Sequence, residues 1–68
     1  MSHHTEVTAG REAAVLRALR GGSMTFRELR RQLRVSHGDL LETIQDLQAE
    51  RLIGFSGGFL SPTRFHLA

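Results

Sequence analysis

The stretch MTFRELRRQLRVSHGDL, at residues 24–40, contains two helix-start signals in close succession. Thr25 with Glu28, and Ser36 with Asp39, have the spacing of a capping box, in which each member of the pair bonds to a backbone N–H at the start of a helix. Apolar residues flank both caps at the spacing of a hydrophobic staple. The stretch therefore predicts two helices joined by a very short turn, and helices joined so tightly cross at a steep angle, as in a helix-turn-helix.

Outward from this stretch, the sequence predicts one more helix and a β-hairpin. Apolar residues recur at helical spacing before Gly21-Gly22, and glycine is favoured at a helix end because it adopts the left-handed conformation without strain. After the third helix, apolar and polar residues alternate, which is typical of strands. The predicted elements are helices at about 9–20, 26–34 and 37–51, strands at 52–56 and 63–67, and a short third strand around 23–24. The second helix is expected to bury Phe26, Leu29 and Leu33, and the third helix Leu40, Ile44 and Leu47, with Leu41 at the edge of that face.

The predicted fold class is mainly α with a small β-hairpin, comprising three helices and a two- or three-stranded sheet. Residues 9–68 are expected to form this single domain. Residues 1–8 are polar and show no periodicity, so they are predicted to be a flexible tail.

The composition excludes several classes of protein. The 68 residues suffice for one small domain and include no cysteine, which rules out disulfides, thiolate metal sites and a cysteine nucleophile. No apolar run approaches the roughly 18–20 residues of a membrane span, and the first residues lack the pattern of a signal peptide, so a cytoplasmic location is expected. Because no catalytic set, phosphate-binding loop or metal-ligand spacing is found, we expect no enzyme, no cofactor and no metal site.

Charge is unevenly distributed along the chain. The net charge is only +2, and all nine basic residues are arginine. Residues 11–34 hold seven Arg against Glu12 and Glu28, a local charge of +5. Residues 36–51 hold four acidic residues against Arg51, a local charge of −3. The first two helices are therefore basic and the third is acidic.

The order of helix, short strand, helix, tight turn, helix and hairpin resembles the winged helix-turn-helix of small bacterial and archaeal transcriptional regulators of the MarR and ArsR kind. The resemblance covers roughly residues 10–68, and the segments that carry it are 24–29, 33–41 and 47–53. It implies a DNA-binding protein, expected to regulate transcription, that contacts duplex DNA through the third helix and the hairpin, or wing.

In that fold the third helix enters the major groove and the preceding helix crosses the phosphate backbone. Carried onto this sequence, the contacts expected from the third helix and its cap are Ser36, His37, Gly38, Thr43 and Gln45. Four arginines of the second helix fall within an arc of about 100° and are expected to meet phosphates. They are Arg27, Arg30, Arg31 and Arg34, and Arg64 of the last strand is expected to add a contact.

Two features depart from that pattern and support an alternative function. Four acidic residues of the third helix, Asp39, Glu42, Asp46 and Glu50, fall within an arc of about 80° on the helix that should meet a polyanion. Phe59 and Leu60 occupy the predicted hairpin tip, and they either fold back onto the core or form an exposed apolar tip. The alternative is a protein–protein interaction module whose partner is another protein or a second copy in a weak homodimer. Its expected contact residues are Asp39, Glu42, Asp46, Phe59 and Leu60.

Overall fold

Three helices and three short strands make up the fold. The structure is a computed structural model that describes the backbone of residues 3–68 and the side chains of residues 9–68. In chain order the elements are α1 (His3–Leu19), β1 (Met24–Thr25), α2 (Phe26–Leu33), α3 (His37–Ala49), β2 (Ile53–Ser56) and β3 (Arg64–Leu67). The predicted fold class, mainly α with a small sheet, is confirmed.

The first helix begins earlier than its apolar pattern indicates, at His3 rather than near Ala9. Residues 3–8 of the predicted tail are therefore helical, and residues 1 and 2 lie outside the described part of the chain. Nucleation is the costly step of helix formation, and each further residue adds one hydrogen bond for little cost. Once the part of α1 that follows residue 9 is fixed by packing, the helix extends without needing the periodicity on which the sequence prediction depends.

The sheet has the strand order β1-β3-β2, and both pairs are antiparallel. Phe65 of β3 lies opposite Met24 of β1 on one side and Phe55 of β2 on the other. Directly opposed residues share a face of the sheet, so these three side chains point to the same side. The short strand that the sequence predicts around residues 23–24 is β1, which lies at residues 24–25.

The core is formed by one face of each helix and the inner face of the sheet. Its buried side chains are Val15, Leu19, Leu29, Leu40, Ile44, Leu47, Ile53 and Phe65. The apolar face predicted for the third helix is confirmed, whereas Phe26 and Leu33 of α2 are only half-buried against the core. Within residues 3–68, none of the helices combines the length and apolarity that a membrane crossing requires.

Candidate nucleic-acid interface

Local hydrogen bonds fix the starts of α2 and α3. At the start of α2, the Thr25 hydroxyl accepts from the Glu28 N–H at 3.1 Å, and the Glu28 carboxylate accepts from the Thr25 N–H at 2.8 Å, so the first predicted capping box is present. At the start of α3, the Ser36 hydroxyl accepts from the Asp39 N–H at 3.2 Å. The second bond of a capping box, in which the Asp39 carboxylate would accept from the Ser36 N–H, is not formed in the described structure. That carboxylate pairs with Arg11 of α1 instead.

An arginine face covers the exposed side of α2. The side chains of Arg27, Arg30 and Arg31 are exposed and surround a shallow depression of about 420 Å³ whose other lining residues are Phe26 and Val35. Among residues 9–68, no carboxylate lies within ion-pairing distance of these three guanidinium groups. We refer to Arg27, Arg30 and Arg31 as the arginine face.

Arg34 departs from the helical arc predicted for it. The helix ends at Leu33, and Arg34 caps it in the left-handed conformation, with φ 55° and ψ 45°. Its N–H donates to the Arg30 carbonyl at 2.9 Å. Because the helical twist stops before Arg34, its exposed side chain leaves the backbone in a different direction from those of the arginine face.

Arg64 is held by contacts within the protein. Its Nε donates to the Ser23 hydroxyl at 3.0 Å, and its Nη2 donates to the Ser23 carbonyl at 2.8 Å. A second contact joins Nη2 to the Glu28 carboxylate at 3.5 Å. The side chain thus fastens β3 to the loop before β1 and to the start of α2. A phosphate contact, as predicted for Arg64, would have to compete with these bonds.

The structure places Thr43 inside the protein and not on the surface that is predicted to meet DNA. The residue is 1% exposed and lies on the side of α3 that packs against α1. Its hydroxyl donates to the Asp39 carbonyl at 2.8 Å and accepts from Arg11 Nε of α1 at 3.3 Å. Both hydrogen-bonding roles of the hydroxyl are therefore filled inside the protein.

The acidic residues of α3 do not form one outward stripe. Asp39 lies 3.7 Å from Arg11 of α1, which pairs it with a cation of the same chain. Burial, and then the negative charges of Glu50 and Asp46, raise the pKa of Glu12 on α1, and the Asp46 side chain is half-buried. The outermost ridge of α3 then carries Gly38, Glu42, Gln45 and Ala49, at positions spaced by three or four residues. Only one of these four is charged.

At the start of α3, His37 is exposed, and its ring lies 4.8 Å from the ring of Phe26, at an interplanar angle of 54°. Gly38 follows, and a Cβ added there would meet nothing within 4 Å. The start of α3 therefore exposes its first N–H groups and the His37 imidazole, with no side chain at Gly38 to obstruct a ligand. It lies next to the depression bounded by the arginine face.

A groove of about 290 Å³ separates α3 from the β2–β3 hairpin. Its lining residues are Phe26, Leu41, Ile44, Gln45, Gln48, Phe55, Thr63 and Phe65, and we call it the α3–hairpin groove. None of them is charged. Phe55 is 62% exposed and Leu41 is 41% exposed, so the groove offers apolar surface to solvent.

The hairpin tip, residues 57–62, is apolar and exposed. Phe59 and Leu60 are each 94% exposed, which decides between the two alternatives left by the sequence. They do not fold back onto the core.

Comparison with known proteins identifies the architecture. The chain matches no family model, and a search of curated proteins finds no match. Its structure is similar to the crystal structure of the apo-Zalpha of zebrafish PKZ, with a TM-score of 0.84 over 90% of this chain and 95% of that chain, at 16% sequence identity. The chain has the winged-helix fold. This likeness establishes the fold, and membership of the MarR or ArsR families is not confirmed.

Within this winged helix, the predicted site residues separate into two groups. Ser36, His37, Gly38 and Gln45 lie exposed on α3 or its cap, the first three at the start of the helix and Gln45 in the α3–hairpin groove. Thr43 and Asp39 are turned to α1, and Arg64 is bonded to Ser23. Sequence reasoning missed the groove residue Phe55, and left Leu41 as a residue at the edge of the core. The available signal was the alternation of Ile53 and Phe55 in β2, which places Phe55 on the inner face of the sheet beyond the core.

Proposed function

We propose that this winged helix binds duplex DNA through the arginine face and the N-terminus of α3, and that it acts as a transcriptional regulator. The observation that carries the proposal is the set of three exposed arginines without a carboxylate partner among the described side chains, next to the start of α3. Phosphate neutralisation supplies much of the affinity of proteins for DNA, and the free N–H groups of a helix start favour anions. The proposed role is binding, without catalysis.

The likeness to a Zalpha domain supports nucleic-acid binding as the broad class of function. In the proposed arrangement, α2 crosses the phosphate backbone and α3 approaches the bases with His37 and Gln45, whose side chains can hydrogen-bond to base edges. The pairing of Asp39 with Arg11 and the half-burial of Asp46 support this orientation, because among Gly38, Glu42, Gln45 and Ala49 on the outer ridge of α3 only Glu42 is acidic.

The test is a titration of the labelled protein with duplex DNA, followed by NMR and by fluorescence anisotropy at about 50 and 200 mM salt, a range over which phosphate contacts change affinity strongly. Shifts confined to residues 27–45 at low salt are expected. A left-handed Z-form duplex is titrated beside a B-form duplex, because the structural neighbour is a Zalpha domain. No shift in residues 27–45 with either duplex at low salt would overturn the proposal.

A matched pair of variants tests the arginine face. Arg31→Gln removes one cation from it, and Arg51→Gln removes one cation beyond the far end of α3, about 20 Å from the helix start. Arg31→Gln is expected to weaken all DNA sequences alike and to reduce the salt slope by about 1. Arg51→Gln is expected to leave both unchanged. Equal losses in the two variants would show that net charge alone governs binding.

A second candidate function, protein–protein interaction, is favoured by one specific observation, the full exposure of Phe59 and Leu60. Large apolar side chains that project from a small domain commonly mark a contact with another molecule. The acidic part of the predicted partner surface is less suited to this role, since Asp39 is paired with Arg11 and Asp46 is half-buried. Changing Phe59 and Leu60 to Ser should abolish partner binding and leave the binding of DNA phosphates through the arginine face unchanged.

A further inference from the structure

Two apolar features lie next to each other on the hairpin, and nothing within the described chain covers either. One is the hairpin tip, with Phe59 and Leu60 each 94% exposed. The other is the α3–hairpin groove, whose hairpin side is formed by Phe55, Thr63 and Phe65. A projecting pair of side chains and a concave apolar surface of matching chemistry therefore occur on the same element.

The backbone of the tip forms a closed turn. Gly57 and Gly58 have φ values of 85° and 101°, which only glycine adopts readily. A Cβ on Gly57 would lie 2.7 Å from the Pro62 carbonyl oxygen. The Gly58 N–H donates to the Ser61 carbonyl at 2.7 Å and closes the loop. Phe59 and Leu60 are thus presented from a closed turn, which lowers the entropy lost when they are buried by a partner.

The groove is suited to neutral apolar side chains. None of its lining residues carries a charge, and its polar members are the amides of Gln45 and Gln48 and the hydroxyl of Thr63. A charged peptide would lose hydration there without gaining an ion pair. The two apolar side chains of the tip would bury their own surface and that of Phe55 and Leu41.

We propose that two copies of this chain associate by exchanging their hairpin tips, so that Phe59 and Leu60 of each copy occupy the α3–hairpin groove of the other. Phe55 at the groove and Phe59 at the tip are four residues apart, which limits their separation to about 13 Å along an extended strand. If a two-fold axis passes between the tip of one copy and the groove of the other, the same rotation places each tip in the opposite groove. A contact of this symmetry is satisfied by two copies and closes as a dimer. The proposal deepens the second candidate function by naming the partner, and does not depend on DNA binding.

The area of contact predicts a weak dimer. An aromatic side chain buries roughly 150–250 Å². Four tip side chains of this size bury roughly 600–1,000 Å² in the dimer, and the groove surface that they cover brings the total towards the lower limit of about 1,200 Å² for specific interfaces. A weak dimer, with a dissociation constant of roughly 10 μM to 1 mM, is therefore expected. Because Gln45 lines the groove, the dimer also covers part of the outer surface of α3, and self-association should compete with any contact made there to DNA.

Sedimentation equilibrium between about 10 μM and 1 mM brackets the expected dissociation constant. The tip variant is Phe59→Ser with Leu60→Ser, and the groove variant is Leu41→Gln. The control is Leu52→Ser, which removes an exposed apolar side chain outside both features. Circular dichroism confirms that each variant is folded. The wild type and the control are expected to dimerise, and the tip and groove variants are each expected to weaken association at least tenfold.

A mixture of the two variants distinguishes tip exchange from other modes of association. The tip variant keeps its groove and the groove variant keeps its tip, so one of the two contacts can form between them. The mixture should therefore associate more strongly than either variant alone. Since the sequence contains no cysteine, a spin label on Ser61→Cys in one copy can be read from isotope-labelled wild type, and broadening is expected at residues 41, 45 and 55.

Three results would overturn the proposal. They are a wild type that remains monomeric at about 1 mM, a tip variant that dimerises as the wild type does, and label broadening that misses the groove. Binding of a different protein through Phe59 and Leu60 by a monomeric wild type would retain the second candidate function and reject tip exchange. DNA binding by the arginine face is measured separately with the tip variant, so the two proposals fail independently.

Discussion

Arg11 of α1 donates its Nε–H to the hydroxyl of Thr43 on α3 across 3.3 Å, and these residues are 32 positions apart in the chain. The same hydroxyl donates to the Asp39 carbonyl at 2.8 Å, one turn earlier in α3. Arg11 also lies 3.7 Å from the Asp39 carboxylate, and only 19% of its side chain is exposed. One polar cluster therefore links the first and third helices and fixes which side of α3 faces inward.

Replacing Thr43 by Val should destabilise the protein by about 1–2 kcal/mol, because the shape is kept while Arg11 loses a largely buried hydrogen-bond acceptor. Urea denaturation measures the change in the free energy of unfolding. Thr43→Ser retains the hydroxyl and is the control for hydrogen bonding. DNA affinity should not change at temperatures where the variant is folded. A loss of affinity larger than the loss of folded protein would indicate that Thr43 contacts DNA after all.

Glu12→Gln should stabilise the protein at pH 7. Burial, and then repulsion by Glu50 and Asp46, raise the pKa of Glu12 above its ordinary value of 4.5, so the folded state holds this proton more tightly than the unfolded state does. Ionisation of Glu12 therefore opposes folding at neutral pH, and this effect fades as the pH falls through the raised pKa. Thermal unfolding at pH 7 and near pH 4 should show an advantage for the variant that shrinks in acid. An advantage independent of pH would contradict this assignment.

Glu28→Gln should have the opposite effect and destabilise the protein at pH 7. The Thr25 N–H that bonds to the Glu28 carboxylate is the main cause that lowers the pKa of this group, and the charge of Arg64 adds to it. A lowered pKa contributes stability at pH values above about 4.5, and the contribution is lost as the pH falls through the folded-state pKa. The melting temperature of the variant should therefore be lower than that of the wild type at pH 7, and the two should converge in acid. If the two melting temperatures converged as the pH is raised, this explanation would be excluded.

Two Gly→Ala substitutions should have opposite effects on stability. Gly57→Ala places a Cβ 2.7 Å from the Pro62 carbonyl oxygen at a φ of 85°, so it should cost about 1–3 kcal/mol and disorder the hairpin tip. Gly38→Ala occupies open space within α3 and should stabilise by about 0.5–1 kcal/mol, since alanine favours the helix. Chemical denaturation of both variants makes the comparison. Equal stability of the two would contradict the backbone conformation described for the tip.

The features that sequence reasoning predicts correctly are the local ones. The Thr25–Glu28 capping box and the Leu40–Ile44–Leu47 face depend on residues within one or two helical turns, and both occur in the structure. Thr43 lies at the edge of that face, about 40° beyond Leu47 on a helical projection. Whether it is buried depends on where α1 packs, and the spacing within α3 carries no information about that.

The groove could not be predicted for a related reason. Leu41 and Phe55 belong to different elements, and only the tertiary arrangement brings them to opposite sides of one cleft. Likewise, the pairing of Asp39 with Arg11 of α1 depends on how these two helices pack. The sequence identifies the charges, and the packing of α1 decides which of them a polyanion would encounter.

The strand order β1-β3-β2 has a consequence for how the sheet assembles. Strands β1 and β2 each pair only with β3, so neither has a partner in the sheet until residues 64–67 are in place. A folding intermediate in which only the three helices have packed therefore lacks both the sheet and the α3–hairpin groove. The sheet and the groove form together when β3 pairs with its two neighbours, so the surface beside α3 is completed in one step.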